Sequence, residues 1–177
     1  MAKENGAHKL AIDCIYEALI QLMEKKEYKD ITITDITNRA GVSRMAYYRN
    51  YTDKDEILLR RLRLYLDQAE ADLKERQDLS REEFWQTFVR SEQEDPINET
   101  ILQAGLFEQS FKIHKDYLCR IYSELFHLNM QDQNAILLIY QKLGSLFGCI
   151  IYMSEHKNDL DPAVVACYLA RLAKDGV

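Results

Sequence analysis

The sequence predicts an all-α protein of about nine helices, with a small N-terminal helical unit followed by a larger helical body. Only two prolines and six glycines interrupt its 177 residues, and this scarcity favours long helices over many short strands. Apolar residues recur at three- and four-residue steps along most of the chain, the spacing of a buried helix face. Hydrophobic residues make up 47% of the composition, which is enough for a substantial core.

The N-terminal unit is predicted to contain three helices. Apolar residues at helical spacing predict an amphipathic helix over residues 8–28. Thr32 and Asp35 have the spacing of a capping box, and they begin a short second helix that ends at Gly41. Residues 43–50 predict a third short helix. Two helices joined by a turn that contains glycine are the arrangement of a helix-turn-helix.

The body is predicted to begin with a long helix over residues 53–78, which Asp53 and Glu56 cap. We therefore divide the chain into a helix-turn-helix domain, residues 1–52, and a larger helical domain, residues 53–177. The remaining helices are expected to begin at Ser80 and to span residues 97–104, 107–128, 132–155 and 162–174.

The cysteines and histidines do not indicate a metal site, a cofactor or an enzyme. The four cysteines lie far apart among apolar neighbours, and the four histidines are equally scattered. No C-x-x-C pair, H-E-x-x-H, P-loop or G-x-S-x-G occurs. We also expect a cytosolic protein, because the N-terminus has no apolar core like that of a signal peptide. No apolar run approaches the roughly 18–20 residues that cross a bilayer.

Charge is distributed unevenly along the chain, whose net charge is −6. Residues 31–63 hold seven Lys and Arg against four Asp and Glu, whereas residues 66–177 hold 11 against 19. A basic head on an acidic body indicates that a polyanion binds at one end only.

The second helix of the motif is predicted to enter the major groove of DNA and to expose its polar and aromatic side chains there. An arginine can pair with guanine edges through two hydrogen bonds, and a tyrosine hydroxyl can reach a phosphate oxygen. Lys54 lies beside the next helix N-terminus, whose peptide dipole favours a phosphate. The side chains expected to be exposed on this helix are Arg44, Met45, Tyr47, Tyr48 and Arg49.

The segment ITITDITNRAGVSRMAYYRNYTDKDEIL, residues 31–58, resembles the DNA-binding signature of TetR-type transcriptional regulators. Residues 139–172 resemble, more weakly, the C-terminal domain of a Firmicutes-type subgroup of that family. The residues that match the signature are Ile36, Ala40, Gly41, Val42, Ser43, Tyr48, Lys54 and Ile57. The sequence departs from the family pattern at Thr37, Ala46, Asn50 and Tyr51.

The resemblance implies a homodimer that binds double-stranded DNA at a palindromic operator, with recognition helices about 34–36 Å apart. Arg49 is expected to steer toward the DNA backbone rather than to read bases. The implied phosphate contacts come from Thr32, Ser43, Tyr48 and Lys54, and the implied base contacts from Arg44, Met45 and Tyr47.

The dimer interface is predicted on the helix with Gly144 and Gly148 and on the last helix, because four such helices pack into a bundle. Its residues are expected to be Gly144, Phe147, Gly148, Ile151, Val165, Tyr168 and Leu169. The resemblance also implies a small-molecule pocket in the body, with the long helix over residues 53–78 as the lever that transmits binding to the head. The candidate lining residues are Trp85, Phe88, Phe107, Phe111, His114, Tyr117 and Tyr122.

Several alternatives stay open at this point. The aromatic side chains of the body also suit ordinary core packing, and those of the last helices also suit burial within one subunit. The protein is expected to be a ligand-responsive repressor. A regulator that acts through a protein partner fits the same sequence.

Overall fold

The computed structural model describes residues 2–76, 80, 83–84, 86–87, 97–156, 164–165, 167–169 and 171, with side chains from Lys9 onward. Every regular element among these residues is helical, so the predicted all-α class is confirmed. The α-helices are α1 (Ala2–Met23), α2 (Ile33–Ala40), α3 (Arg44–Tyr48), α4 (Asp55–Lys74), α5 (Ile97–Gln103), α6 (Phe107–Glu124) and α7 (Gln133–Glu155).

The boundaries differ from the predicted ones mainly at helix ends. The first helix ends at Met23, and a 3₁₀-helix over Tyr28–Asp30 follows it, which the periodicity did not indicate. The predicted helices near residue 80 and over 162–174 lie partly outside the described residues. Within them, residues 83–84, 86–87, 164–165, 167–169 and 171 are helical.

The head is formed by α1, α2, α3 and the start of α4 around one apolar core. Ile15 and Leu19 of α1 meet Ile36 of α2 and Leu58 of α4 in this core, and all four are buried. Gly41 ends α2 with a φ of 67°. This left-handed conformation suits glycine because it has no Cβ to clash with the backbone.

Helix α4 belongs to both the head and the body. Its buried stripe includes Ile57 and Leu58 near the head and continues through Leu62 and Leu66 to Leu73. The helix packs on α1 at one end and on α5 and α6 farther along. A change in the packing of the body can therefore reach the head through α4.

Helix α7 packs on α6 and carries two different apolar faces. Ile139, Leu143 and Leu146 are buried on the first face, as are Leu118 and Ile121 of α6. The second face is exposed and includes Leu137, Tyr140, Gly144, Gly148, Ile151 and Tyr152.

By length and composition α7 would suffice to cross a bilayer, with a mean hydropathy of 1.6, so the expectation that no segment is long and apolar enough is wrong. One third of that segment is buried inside the protein, including Lys142, which is 3% exposed. A helix that is apolar on both faces meets these length and composition criteria even when one face lies in the core of the protein and the other is an exposed surface.

Candidate DNA-binding site

Helix α2 begins with the predicted capping box. The Thr32 hydroxyl accepts a hydrogen bond from the backbone N–H of Asp35 at 3.1 Å. The Asp35 carboxylate accepts from the Thr32 backbone N–H at 2.9 Å and from the Thr32 hydroxyl at 2.8 Å. Lys26 donates to the same carboxylate at 2.9 Å, and this bond together with those from Thr32 lowers the pKa of Asp35 to about 2. The start of α2 is thus fixed to the turn that follows α1.

The two capping hydroxyls of the motif differ in what they can offer a phosphate. The Thr32 hydroxyl hydrogen is already donated to Asp35. The exposed Ser43 hydroxyl caps α3 by accepting from the backbone N–H of Ala46 at 3.1 Å. Acceptance leaves the hydroxyl hydrogen of Ser43 for another acceptor. Ser43 therefore fits the expected phosphate contact better than Thr32 does.

The outer face of α3 carries four of the five side chains that were expected to be exposed. Met45 is 68% exposed and Tyr48 is 56% exposed, and Arg44 and Arg49 are exposed as well. The Arg44 guanidinium donates to the hydroxyl of Thr34 on α2 at 2.6 Å. This bond, which the sequence analysis did not identify, orients Arg44 across the motif.

Tyr47 is the exception, because it is fully buried in the core of the head. Its ring packs against Tyr48 with the centroids 5.3 Å apart and against Tyr51 at 5.8 Å. Burial raises the pKa of its hydroxyl. The prediction that Tyr47 is exposed for base reading is therefore wrong. Adjacent helical residues point about 100° apart, so only one of the tyrosine pair can face outward.

Lys54 also differs from its predicted role as a phosphate contact. Its ammonium donates to the carbonyl oxygens of Tyr28 at 2.6 Å, Ile31 at 3.0 Å and Lys29 at 3.3 Å. It also lies 4.4 Å from the centroid of the Tyr28 ring. An ammonium has three donors, and all three are engaged within the head. The expectation of an ammonium that is available to DNA is therefore wrong for this structure.

Tyr28, whose ring and carbonyl contact Lys54, is also bound to α4 through its hydroxyl. Its hydroxyl donates to the Asp55 carboxylate in the first turn of α4 at 2.6 Å. Burial, with a further contribution from Asp55, raises the pKa of this hydroxyl. Tyr28 was not identified from the sequence, although its place in the polar run KKEYKD, residues 25–30, was a usable signal.

The other cations near the start of α4 contact groups of the head and of α4 itself. The Arg60 guanidinium lies 5.6 Å from the centroid of Tyr51, and its NH1 approaches the carbonyl of Asn50 at 3.4 Å. Arg61 lies 5.0 Å from the Tyr16 ring of α1, and Arg63 pairs with Glu56 at 3.3 Å. Some of the excess cations of the head therefore contact groups of the protein itself.

Two departures from the family pattern are accommodated locally. Tyr51 is 3% exposed and serves as an aromatic wedge in the core. The Asn50 amide donates to the carbonyl of Ala46 at 2.7 Å and so satisfies the end of α3.

The aromatic residues predicted to line a ligand pocket are mostly packed in the core. His114, Tyr117 and Tyr122 are at most 1% exposed, whereas Phe107 is 42% exposed on the surface. Phe111 packs against Phe107, Phe147 and Tyr140, with ring centroids 5.5–6.1 Å apart. Trp85 and Phe88 lie outside the described residues. Three surface grooves lie among the described residues, and none of them is lined by these predicted pocket residues.

The residues predicted for the dimer interface divide into two groups. Gly144, Gly148, Ile151 and Tyr168 are exposed, as an interface requires. Phe147, Val165 and Leu169 are 3%, 6% and 2% exposed, so they pack within the subunit and their predicted interface role is wrong. An apolar groove of about 480 Å³ lies between α7 and the last helical residues, and it is lined by Gly144, Ser145, Gly148, Cys149, Tyr152, Val164, Val165 and Tyr168.

The motif and the body that carries it define a helix-turn-helix protein of the kind that binds DNA. Residues 15–60 match the family model for bacterial regulatory proteins of the tetR family. The head therefore belongs to the TetR family, and the resemblance of the sequence to that family is confirmed.

Solved structures share the fold over almost the whole chain. The crystal structure of Lin0861 from Listeria innocua has a TM-score of 0.76 and 15% identity, and the match covers 94% of this chain and 90% of that one. The fatty acid degradation regulator FadR from Bacillus halodurans has a TM-score of 0.64 and 15% identity, with 93% and 98% covered. At this identity the likeness shows the fold alone. No curated protein matches the sequence.

Proposed function

We propose that this TetR-family regulator is a dimeric, cytoplasmic repressor that binds a palindromic operator and releases it when a small molecule binds to the body. The observation that carries the proposal is the outer face of α3, where Arg44, Met45 and Tyr48 are exposed side by side while Tyr47 of the same helix is buried. Such a face is what a helix presents to the major groove.

The exposed residues of α3 and of its two caps have proposed contacts with DNA. Arg44, held by Thr34, reads a guanine edge, and Met45 packs on bases beside it. The hydroxyls of Tyr48 and Ser43 donate to phosphates, and Arg49 adds a charge toward the backbone. Phosphate contacts place the motif on the duplex, whereas Arg44 and Met45 supply the sequence preference.

The exposed apolar face of α7 supports the dimer. Tyr140, Ile151 and Tyr152 are each between 39% and 49% exposed on this face. A Cβ added at Gly144 or Gly148 would meet nothing within 4 Å among the described residues. The two glycines thus fill no packing need within the subunit, and they leave a shallow stripe on which a second α7 can lie closely.

The shared packing of α4 supports release by an effector. Its C-terminal half is fixed to α6 by Arg120, which donates to Glu70 at 2.8 Å, and by Lys74, which pairs with Glu124 at 2.6 Å. A ligand that changes the packing around α6 therefore tilts α4 and changes the spacing of the two heads. One protein that shares this fold is a regulator of fatty acid degradation, so the fold is compatible with a regulatory role.

Selection of random-sequence DNA duplexes by the purified protein tests the proposal. The enriched duplexes are expected to contain an inverted repeat with half-sites about one helical turn apart, because a two-fold dimer reads a palindrome. The Arg44→Ala variant serves as the control, and it is expected to enrich a less defined sequence. Enrichment of a single unrepeated site, or of no sequence at all, would contradict a dimeric operator-binding protein.

A further inference from the structure

The ammonium of Lys54 forms a clamp between the head and the first turn of α4. Lys54 is the residue that directly precedes α4. Its three hydrogen bonds end on carbonyl oxygens at positions 28, 29 and 31, which are 23 to 26 residues earlier in the chain. The clamp therefore joins segments that are distant in sequence.

The receiving segment is well suited to hold a cation. The 3₁₀-helix Tyr28–Asp30 ends at Ile31, whose backbone N–H donates to the Tyr28 carbonyl. The end of a helix presents carbonyl oxygens and a negative partial charge, which favour an ammonium. The Tyr28 ring adds a cation–π contact, and its hydroxyl returns to Asp55 in α4.

We infer that Lys54 is a positioning residue for DNA binding, which fixes α2 on the first turn of α4 and makes no phosphate contact itself. Ile31 is followed directly by Thr32, the cap of α2, so a shift of the clamped segment shifts α2. Movement of α4 is in turn passed to the motif through this segment. The inference rests on the proposed DNA-binding function.

The salt dependence of DNA binding distinguishes positioning from phosphate contact. Each phosphate contact contributes about 0.9 to the slope of log affinity against log salt concentration. We expect Lys54→Met to raise the operator Kd by the same factor at every salt concentration, with the slope unchanged. Arg49→Met is the matched control, and it is expected to reduce the slope by about 1.8, because the proposed dimer carries two copies of this residue. A reduction of that size for Lys54→Met would overturn the inference.

Lys54→Arg provides a second test that does not depend on loss of charge, and it carries the test if Lys54→Met does not fold. A planar guanidinium binds phosphate at least as well as an ammonium, but its donors diverge in one plane and cannot reproduce three hydrogen bonds that converge on a single nitrogen. We therefore expect Lys54→Arg to weaken operator binding with an unchanged slope. Operator affinity equal to that of the original protein would overturn the inference.

Hydrogen exchange at the Ile31 amide tests the clamp without DNA. Its acceptor, the Tyr28 carbonyl, is also the nearest acceptor of Lys54. We expect faster exchange of this amide in Lys54→Met and no change in Arg49→Met, and equal exchange in both variants would overturn the clamp. If the unmodified protein shows no specific DNA binding, the proposed function fails, whereas the exchange result still decides the clamp.

Discussion

His114 makes the folded protein sensitive to acid. Its ring is fully buried, one ring nitrogen donates to the carbonyl of Ser110 at 2.9 Å, and burial lowers its pKa from 6.5 to about 4. Since the folded pKa is depressed, the unfolded chain takes up this proton first as pH falls. The part of the unfolding free energy that depends on neutral His114 is thus fully present above about pH 6.5. It is lost as the pH falls from about 6.5 to about 4. A shift of this size corresponds to roughly 3 kcal/mol in the free energy of unfolding.

The test is urea unfolding of the original protein and of His114→Asn at several values between about pH 7 and pH 4, followed by far-UV circular dichroism. Protein concentration is held fixed, because the proposed dimerisation would contribute to apparent stability. Asn can retain the donor to Ser110 but cannot titrate. We expect the original protein to lose roughly 3 kcal/mol more than the variant over this range. His127→Asn is the matched control, because His127 is exposed and asparagine tolerates its φ of 54°. Equal losses in the original protein and His114→Asn would refute the reasoning.

Three further substitutions test separate parts of the structure. Gly148→Leu adds a side chain where no described neighbour lies within 4 Å, so sedimentation should show monomers with an unchanged far-UV circular dichroism spectrum, and a dimer of unchanged mass would contradict the interface. Tyr48→Phe should weaken binding to operator and scrambled DNA alike, while Arg44→Ala should weaken the preference between them; the same behaviour in both variants would remove the assigned roles. Thr32→Ala removes the α2 cap and should cost about 1 kcal/mol in urea unfolding, and no loss would show that the cap contributes little.

Local signals in the sequence correctly predicted where α2 begins and ends and where α3 begins. The capping box of Thr32 and Asp35, the Gly41 turn and the Ser43 cap each depend on groups within about four residues of one another. The all-α class followed from periodicity for the same reason, since one buried face is repeated along each helix.

Contacts between distant segments could not be predicted in this way. Lys54 finds its carbonyl partners more than 20 residues away, and nothing in its local sequence distinguishes them from a phosphate. Tyr47 and Tyr48 are identical neighbours, so only the packing of the head decides which is buried. Phe147 and Gly148 are also neighbours, and Phe147 is buried whereas Gly148 is exposed. Because α7 is apolar on two faces, its sequence does not indicate which face packs on the body.

The most direct test of the central claim is fluorescence anisotropy of the purified protein on labelled DNA from upstream of its own gene. The titration is repeated across a salt series and with a scrambled duplex of the same composition. Tight binding that prefers the native DNA and weakens as salt rises is the expected result, because the exposed face of α3 is proposed to read bases while Ser43, Tyr48 and Arg49 are proposed to contact phosphates. Equal affinity for the native and scrambled duplexes at every salt concentration would contradict a sequence-specific regulator.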